Sequence, residues 1–215
     1  MPKISIIMNC YNGDEYLNLS LKSVFALTCS DWGIICIDNC STDNSAEIAK
    51  SYGSKVKYYK TEVNNPLYAV RNVALEHICG EFICFLDVDD LWAKDKLKRQ
   101  LKLFENQDVG FVFTDVESIN SKGASIKKIY APLNKGWITQ ALLLRNFIAM
   151  SSSMIRSSIF QKDTSNSEYN LIGDHDFWLK ISTYSKADFI PEKYFLADFM
   201  KIARQIKIKE SGYLK

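Results

Sequence analysis

A short apolar run, Phe82-Ile83-Cys84-Phe85-Leu86, passes without a break into Asp87-Val88-Asp89-Asp90. The run is rich in aromatic and aliphatic residues, which predicts a buried strand. Three carboxylates within the next four positions mark its end. A buried strand closing on clustered acids puts negative charge at the carboxyl edge of a sheet, where open α/β sheets take their ligands. Carboxylates this close repel unless a counter-charge joins them. A hard divalent cation bridging to a phosphorylated substrate is the usual one. The plainer reading is that Asp90 caps a helix after Leu91-Trp92 while the other acids are solvated.

Around this run, strands and helices alternate. Ile4 to Cys10 predicts a strand and Asn12-Gly13-Asp14 a turn, with Tyr16, Leu17, Leu21, Val24 and Phe25 at helical spacing after it. Gly33 to Asp38 is a second buried strand, followed by a helix with Ser41 and Thr42 as candidate caps and Gly53 as its end. Val56 to Tyr59 is a third strand. Pro66 opens a helix to Cys79, the acid-tipped strand follows, then a basic-faced helix from Lys94 to Asn106 and a strand from Val109 to Val116. Such alternation predicts βαβ units and a mostly parallel, doubly wound α/β sheet. Further on, Ser118 to Gly123 reads as a turn, Ile138 to Arg145 as a helix, Ile148 to Ile155 as a strand, Ser165 to Ser167 as a loop and Asp174 to Tyr184 as a helix.

No linker interrupts the chain. The expectation is one domain over 1–215, with a donor half (1–116), an acceptor half (117–198) and a basic tail (199–215). A hydrophobic content of 47% with 24% charged residues suits a single globular core. A net charge of +2 gives no nucleic-acid footprint. All six cysteines fall in the first 84 residues, none in a Cys-Xaa-Xaa-Cys pair, and read as reduced thiols. The first residues lack a signal-peptide pattern and no apolar run is long enough to span a membrane. A cytoplasmic protein, at most peripheral at a membrane, is expected. The tail interleaves Lys201, Arg204, Lys207 and Lys209 with Ile202, Ile206 and Ile208. It suits either a solvated terminus or contact with the inner membrane.

Three other groups carry candidate chemistry. Asp38-Asn39 with Ser41-Thr42-Asp43 stands at the end of the second strand, placed to read a base or to cap a helix. Tyr11-Asn12-Gly13 follows the first strand, where a ring can stack on a base. Gly173-Asp174-His175-Asp176-Phe177-Trp178 offers either a general base or an N-capping aspartate, and His175 alone reads as a surface histidine.

In this order and spacing, the groups resemble the family 2 glycosyltransferases of the GT-A fold, through Ser5 to Asn12, Ile37 to Asp43, Arg71-Asn72 and Gly80 to Trp92. The likeness runs to about Asp198. It implies a GT-A type nucleotide-binding, doubly wound mixed sheet with helices on both faces. It implies an inverting transfer from a nucleoside-diphosphate sugar to a hydroxyl of a glycan or lipid-linked glycan, with Mn2+ or Mg2+ as cofactor. Bacterial surface polysaccharide or lipo-oligosaccharide is the implied setting. Carried over by position, Tyr11 and Asn12 lie at the nucleobase, Asp38 and Asn39 contact base or ribose, and Arg71 lies near the phosphates. Asp87 contacts ribose or sugar, Asp89 binds the metal and Asp174 is the catalytic base.

Three departures stand out. Relatives often carry two aspartates where this chain has Asp38-Asn39, which leaves the base open between uracil and thymine. Relatives carry an acid where this chain has Gly173, so Asp174 lacks one negative neighbour and its pKa is expected to be lower than theirs. Met200-Lys201-Ile202-Ala203 lacks a histidine found near the C-terminus of relatives. A non-catalytic sugar-nucleotide-binding or scaffold protein is the competing expectation. A nucleotidyltransferase fits less well, because Asn9 to Gly13 is no glycine-rich phosphate loop.

Overall fold

Each apolar run of the first half becomes a strand of one parallel core. The computed structural model describes residues 1–119, 125–126, 134–162 and 173–197. Strands β1 (Ile4–Cys10), β2 (Trp32–Asp38), β3 (Val56–Lys60) and β4 (Phe82–Phe85) lie parallel in the order β3-β2-β1-β4. Side chains alternate across a strand, and β1 shows the result. Ile4, Ile6 and Met8 pack with Leu17, Leu21 and Val24 of α1 (Asp14–Phe25). Ile7 faces the other way, in one cluster with Ile35, Ile83 and Phe85.

Helix α2 (Ser45–Ser51) follows β2, and its Ala49 joins the α1 side of the core. Helix α3 (Leu67–Val73) contributes Val70 to the opposite face. The sheet therefore carries helices on both faces. Cys10, Cys36 and Cys84 are buried in β1, β2 and β4, where they fill space as small apolar residues.

The second half extends this sheet in mixed sense. It contains β5 (Leu91–Trp92), α4 (Lys96–Leu103), β6 (Val109–Ile119), β7 (Ser125–Ile126), α5 (Thr139–Leu144), β8 (Met154–Arg156), α6 (Ser157–Lys162), α7 (Gly173–Ser182) and β9 (Lys186–Ala197). Among the described residues the strand path is β3-β2-β1-β4-β8-β6-β9-β5, with β7 paired to β6. Strand β8 runs antiparallel to both β4 and β6, whereas β6 and β9 are parallel. Phe177, Trp178 and Ile181 of α7 fill the face that carries α3.

Several elements differ from the sequence reading. The strand expected over Ile148 to Ile155 is a 3-10 turn at Met150–Ser152 followed by the short β8. The serines explain this: Ser152 Oγ donates to the Ala149 carbonyl at 2.6 Å and Ser153 Oγ to the Met150 carbonyl at 2.7 Å. Such local bonds compete with a sheet ladder. The helix expected to reach Cys79 is α-helical only to Val73, then tightens to a 3-10 turn at Ala74–His77. Helix α2 starts at Ser45, whose N–H donates to Asp43 Oδ1 at 3.0 Å, while the Ser41 and Thr42 hydroxyls are bound to Asn12. Helix α4 spans less than Lys94 to Asn106, and Asp90 does not cap it; its N-cap is Asp95.

The turn expected at Ser118 to Gly123 is partly strand, since β6 runs to Ile119 and pairs with β7. The loop at Ser165 to Ser167, Met200 to Ala203 and the basic tail lie outside the described residues. Among the described residues, no helix is long and apolar enough to cross a membrane.

Candidate active site

The carboxyl ends of β1, β2 and β4 open onto one cleft. It is lined by Asn9, Tyr11, Asn39, Leu67, Val70, Asp87, Val88 and Asp89. Tyr11 leaves 54% of its surface exposed. The loops after β1 and β2 are stitched together beside it. The Asn12 N–H donates to Ser41 Oγ, the Thr42 N–H to Asn12 Oδ1, and the Gly13 N–H to Ser45 Oγ. This needs a positive φ of 48° at Asn12, a conformation asparagine adopts more readily than most residues. Asn12 thus binds the two loops to each other and is absent from the cleft lining.

Asp38, expected at the base or ribose, is not among the residues lining the cleft. It is fully buried, and its carboxylate accepts from the Ser41 N–H at 2.7 Å and from the Tyr58 hydroxyl at 2.5 Å. Burial, then this carboxylate, pushes the Tyr58 hydroxyl well above its ordinary pKa, so Tyr58 stays the donor.

Asn39 reaches the cleft, yet its amide is committed to the β3–α3 loop. The nitrogen donates to Asn64 Oδ1 at 3.1 Å and the Asn65 carbonyl at 2.9 Å, while Oδ1 accepts from the Asn65 N–H at 2.9 Å. An aspartate could make the last bond but not the first two.

Asn9 is the polar interruption in the apolar run of β1, a signal legible in the sequence that carried no assigned role. Its amide nitrogen and oxygen are both buried and neither has a hydrogen-bond partner among the described residues. A buried amide in this state costs free energy unless something meets it.

Arg71 and two acids form the electrostatic centre. Arg71 is 2% exposed, donates from Nη2 to Asp87 Oδ1 at 3.0 Å and from Nη1 to Asp174 Oδ1 at 2.6 Å. Arg71, expected near the donor phosphates, thus spans α3 to α7 and ties two carboxylates, one of which, Asp87, lines the cleft. Burial alone would lower its pKa; Asp87 and then Asp174 more than offset that and hold it up. Burial pushes the Asp174 carboxyl above the usual aspartate value, Arg71 pulls it down and Asp87 pushes it up. His175 is not a bare surface residue: its Nε2 donates to the Leu142 carbonyl at 2.7 Å, tying α7 to α5.

The acid turn itself is held from behind by the serine turn. Ser151, 1% exposed, accepts from the Asp87 N–H at 3.1 Å and donates to Asp90 Oδ2 at 2.6 Å. The Trp92 indole donates to the Ser151 carbonyl at 2.8 Å. Lys96 lies over the Trp92 ring and donates to Gln100, and burial lowers its pKa to about 8. Asp90 is thus an anchor of the turn, buried away from the cleft.

Ser151→Ala removes a donor to a buried carboxylate, and hydrogen bonds to charged groups contribute about 1.5–3 kcal/mol. Urea unfolding at neutral pH is expected to show a loss of that order. An unchanged midpoint would contradict the anchoring role.

Among the described residues, no three His, Cys, Asp or Glu side chains converge on a single point. Mg2+-like ions commonly take one or two carboxylates and complete their shell with substrate phosphates and water. Asp89 on the cleft wall fits that pattern.

Comparison with known proteins gives a consistent result. The sequence profile described as Glycosyl transferase family 2 matches residues 5–177. The putative teichuronic acid biosynthesis glycosyltransferase TuaG of Bacillus subtilis is 33% identical over 135 residues, 61% of this chain and 54% of its own length. WfgD of Escherichia coli, a UDP-Glc:alpha-D-GlcNAc-diphosphoundecaprenol beta-1,3-glucosyltransferase, is 32% identical over 144 residues, 66% of this chain and 55% of its own. The chain thus spans about half the length of these curated relatives. Among solved structures, S. aureus TarS in complex with UDP-GlcNAc superposes with a TM-score of 0.77 over 91% of this chain and 58% of that one, at 21% identity. The fold is the GT-A type α/β sheet that the sequence resemblance implied.

Proposed function

The chain belongs to glycosyl transferase family 2, and from that premise we propose that it transfers a sugar, with inversion, from a UDP- or dTDP-sugar to a hydroxyl of a glycan or lipid-linked glycan in bacterial surface polysaccharide synthesis. The observation that carries this reading is the unpartnered Asn9 amide, buried in a cleft between the exposed Tyr11 ring and the acid turn. An aromatic face, an amide with free donor and acceptor, and carboxylates beyond them match the base, sugar and diphosphate of a nucleotide sugar in sequence. The names of WfgD and of the TarS complex, which carry UDP-Glc and UDP-GlcNAc, support a uridine nucleotide. The diphosphoundecaprenol in the WfgD name supports a lipid-linked acceptor, which would bring the chain to the inner-membrane surface.

In this reading Tyr11 stacks on the base and Asn9 meets its polar edge. Asp38 and Asn39 act indirectly, by fixing the loops that frame the base. Asp87 contacts ribose or sugar. Asp89 would hold Mn2+ or Mg2+ together with the donor phosphates, and the ion would supply positive charge to the departing diphosphate. Asp174 takes the proton of the acceptor hydroxyl, whose oxygen attacks the anomeric carbon opposite the leaving group. Arg71 orients Asp174 through its short ion pair.

Calorimetric titration with UDP, dTDP and GDP in Mn2+ tests the site. The pyrimidine diphosphates should bind, and Asn9→Ala should weaken them about tenfold, the size of one lost polar contact. Equal affinity in the variant, or no pyrimidine binding at all, would contradict the reading.

A further inference from the structure

Tyr68 is absent from the cleft lining and has no part in the chemistry above, yet it touches the group at its centre. It projects from the first turn of α3 and is 2% exposed. Its ring lies flat against Gly173, the first residue of α7. A Cβ placed on Gly173 would stand 2.6 Å from Cδ2 and Cε2 of the ring and 2.7 Å from Cζ. Packed carbons sit about 3.5–4.0 Å apart, so the ring occupies the space a side chain at 173 would need.

The hydroxyl sits at the start of α7. The Asp174 N–H donates to it at 3.1 Å. The guanidinium of Arg71 lies 5.1 Å from the same ring. One side chain therefore meets the backbone of Asp174 and its counter-ion.

We propose that Tyr68 is a positioning residue of Asp174, its hydroxyl holding the Asp174 backbone N–H and its ring taking the place that glycine at 173 leaves open. This rests on Asp174 being the base. Burial, then the charge of Asp174, raises the Tyr68 hydroxyl to about 12, so it remains a donor across the neutral range. This hydroxyl is one of the influences that lower Asp174 against burial. If the ring were only filling space, phenylalanine would serve equally well.

The test follows the carboxyl of Asp174 by 13C NMR in aspartate-labelled protein, the signal being assigned by its loss in Asp174→Asn. In Tyr68→Phe this signal should titrate higher than in the unaltered protein, because an influence that lowers Asp174 is gone. Mn2+-dependent hydrolysis of UDP-GlcNAc and UDP-glucose should lose about ten- to a hundredfold in kcat, with donor KM within about twofold. Gly173→Ala should lower the melting temperature, and the same change in a Tyr68→Ala background should lower it much less, because the clash is gone.

An unshifted Asp174 titration in Tyr68→Phe overturns the positioning role. Equal cost of Gly173→Ala in both backgrounds overturns the packing argument, which decides the case even if Tyr68→Phe fails to fold. If Asp174→Asn keeps normal turnover, the base assignment fails by itself, while the NMR titration still reports on Tyr68.

Discussion

Asp174→Asn is expected to lower turnover about a hundred- to ten-thousand-fold while leaving nucleotide binding within about twofold, because it removes the proton acceptor and little else. The asparagine keeps the shape and still accepts from Arg71 Nη1, which lies 2.6 Å from Asp174 Oδ1 in the native site. The cleft lining does not include Asp174, so donor contacts persist. The same group sets the pH dependence. A base works only when deprotonated, so activity rises with pH through its pKa. Burial holds that pKa above the ordinary aspartate value, against the pull of Arg71. The acid limb of kcat/KM should accordingly lie above about 3.9, the value of an unperturbed aspartate. A profile of donor hydrolysis against pH checks this, and a limb at the ordinary value would show that Asp174 is not the titrating group.

The largest loss of stability is expected from Arg71→Met. The guanidinium is 2% exposed and answers two carboxylates, Asp87 and Asp174, on different elements. Removing one member of a buried pair leaves uncompensated charge and costs about 3–5 kcal/mol. The two acids retain side-chain exposures of 39% and 28%, so the lower end of that range applies. Methionine keeps part of the packing against Tyr68 and Phe85, which isolates the charge.

Losing Arg71 deletes the main influence lowering Asp174, so its folded-state pKa rises further above the unfolded value. A raised carboxyl pKa means stability that is present below the unfolded pKa and lost as pH rises through the folded one. The deficit of the variant should therefore be greatest near neutral pH and shrink on acidification. Urea unfolding at pH 7 and near pH 5 measures this; a deficit that grew on acidification would contradict it. Lysine at this position is expected to rescue poorly, since it lacks the fork that reaches both acids.

The parallel core was legible because its strands announce themselves in short apolar runs. Ile4 to Cys10 and Phe82 to Phe85 are buried almost throughout, and no neighbour was needed to recognise them. Strand β9 was not legible, because its pairing with β6 and β5 depends on partners 76–79 and 103–105 residues away. The serine turn was misread for a local reason: Ile148 to Ile155 carries enough apolar residues for a strand, but its hydroxyls bond backward to the chain.

At the site, the order of motifs marked the acid turn and the loops after β1 and β2. Which groups face the cleft was settled by hydrogen bonds between segments. Asp38 is used up by Ser41 and Tyr58, and the Asn39 amide by Asn64 and Asn65. Asn9 keeps an amide without a partner among the described residues. Arg71 and Asp174 lie 103 positions apart, and nothing in the spacing pairs them.

The central claim is that a nucleotide sugar held in this cleft reacts with a hydroxyl activated by Asp174. Its most direct test measures UDP affinity and Mn2+-dependent UDP release from UDP-glucose, UDP-GlcNAc and dTDP-glucose on the same preparations of the unaltered protein and Asp174→Asn. The expected result is release by the unaltered protein from at least one donor, lost at least about a hundredfold in the variant while UDP still binds. UDP binding without release from any donor, or release that survives in Asp174→Asn, would contradict it.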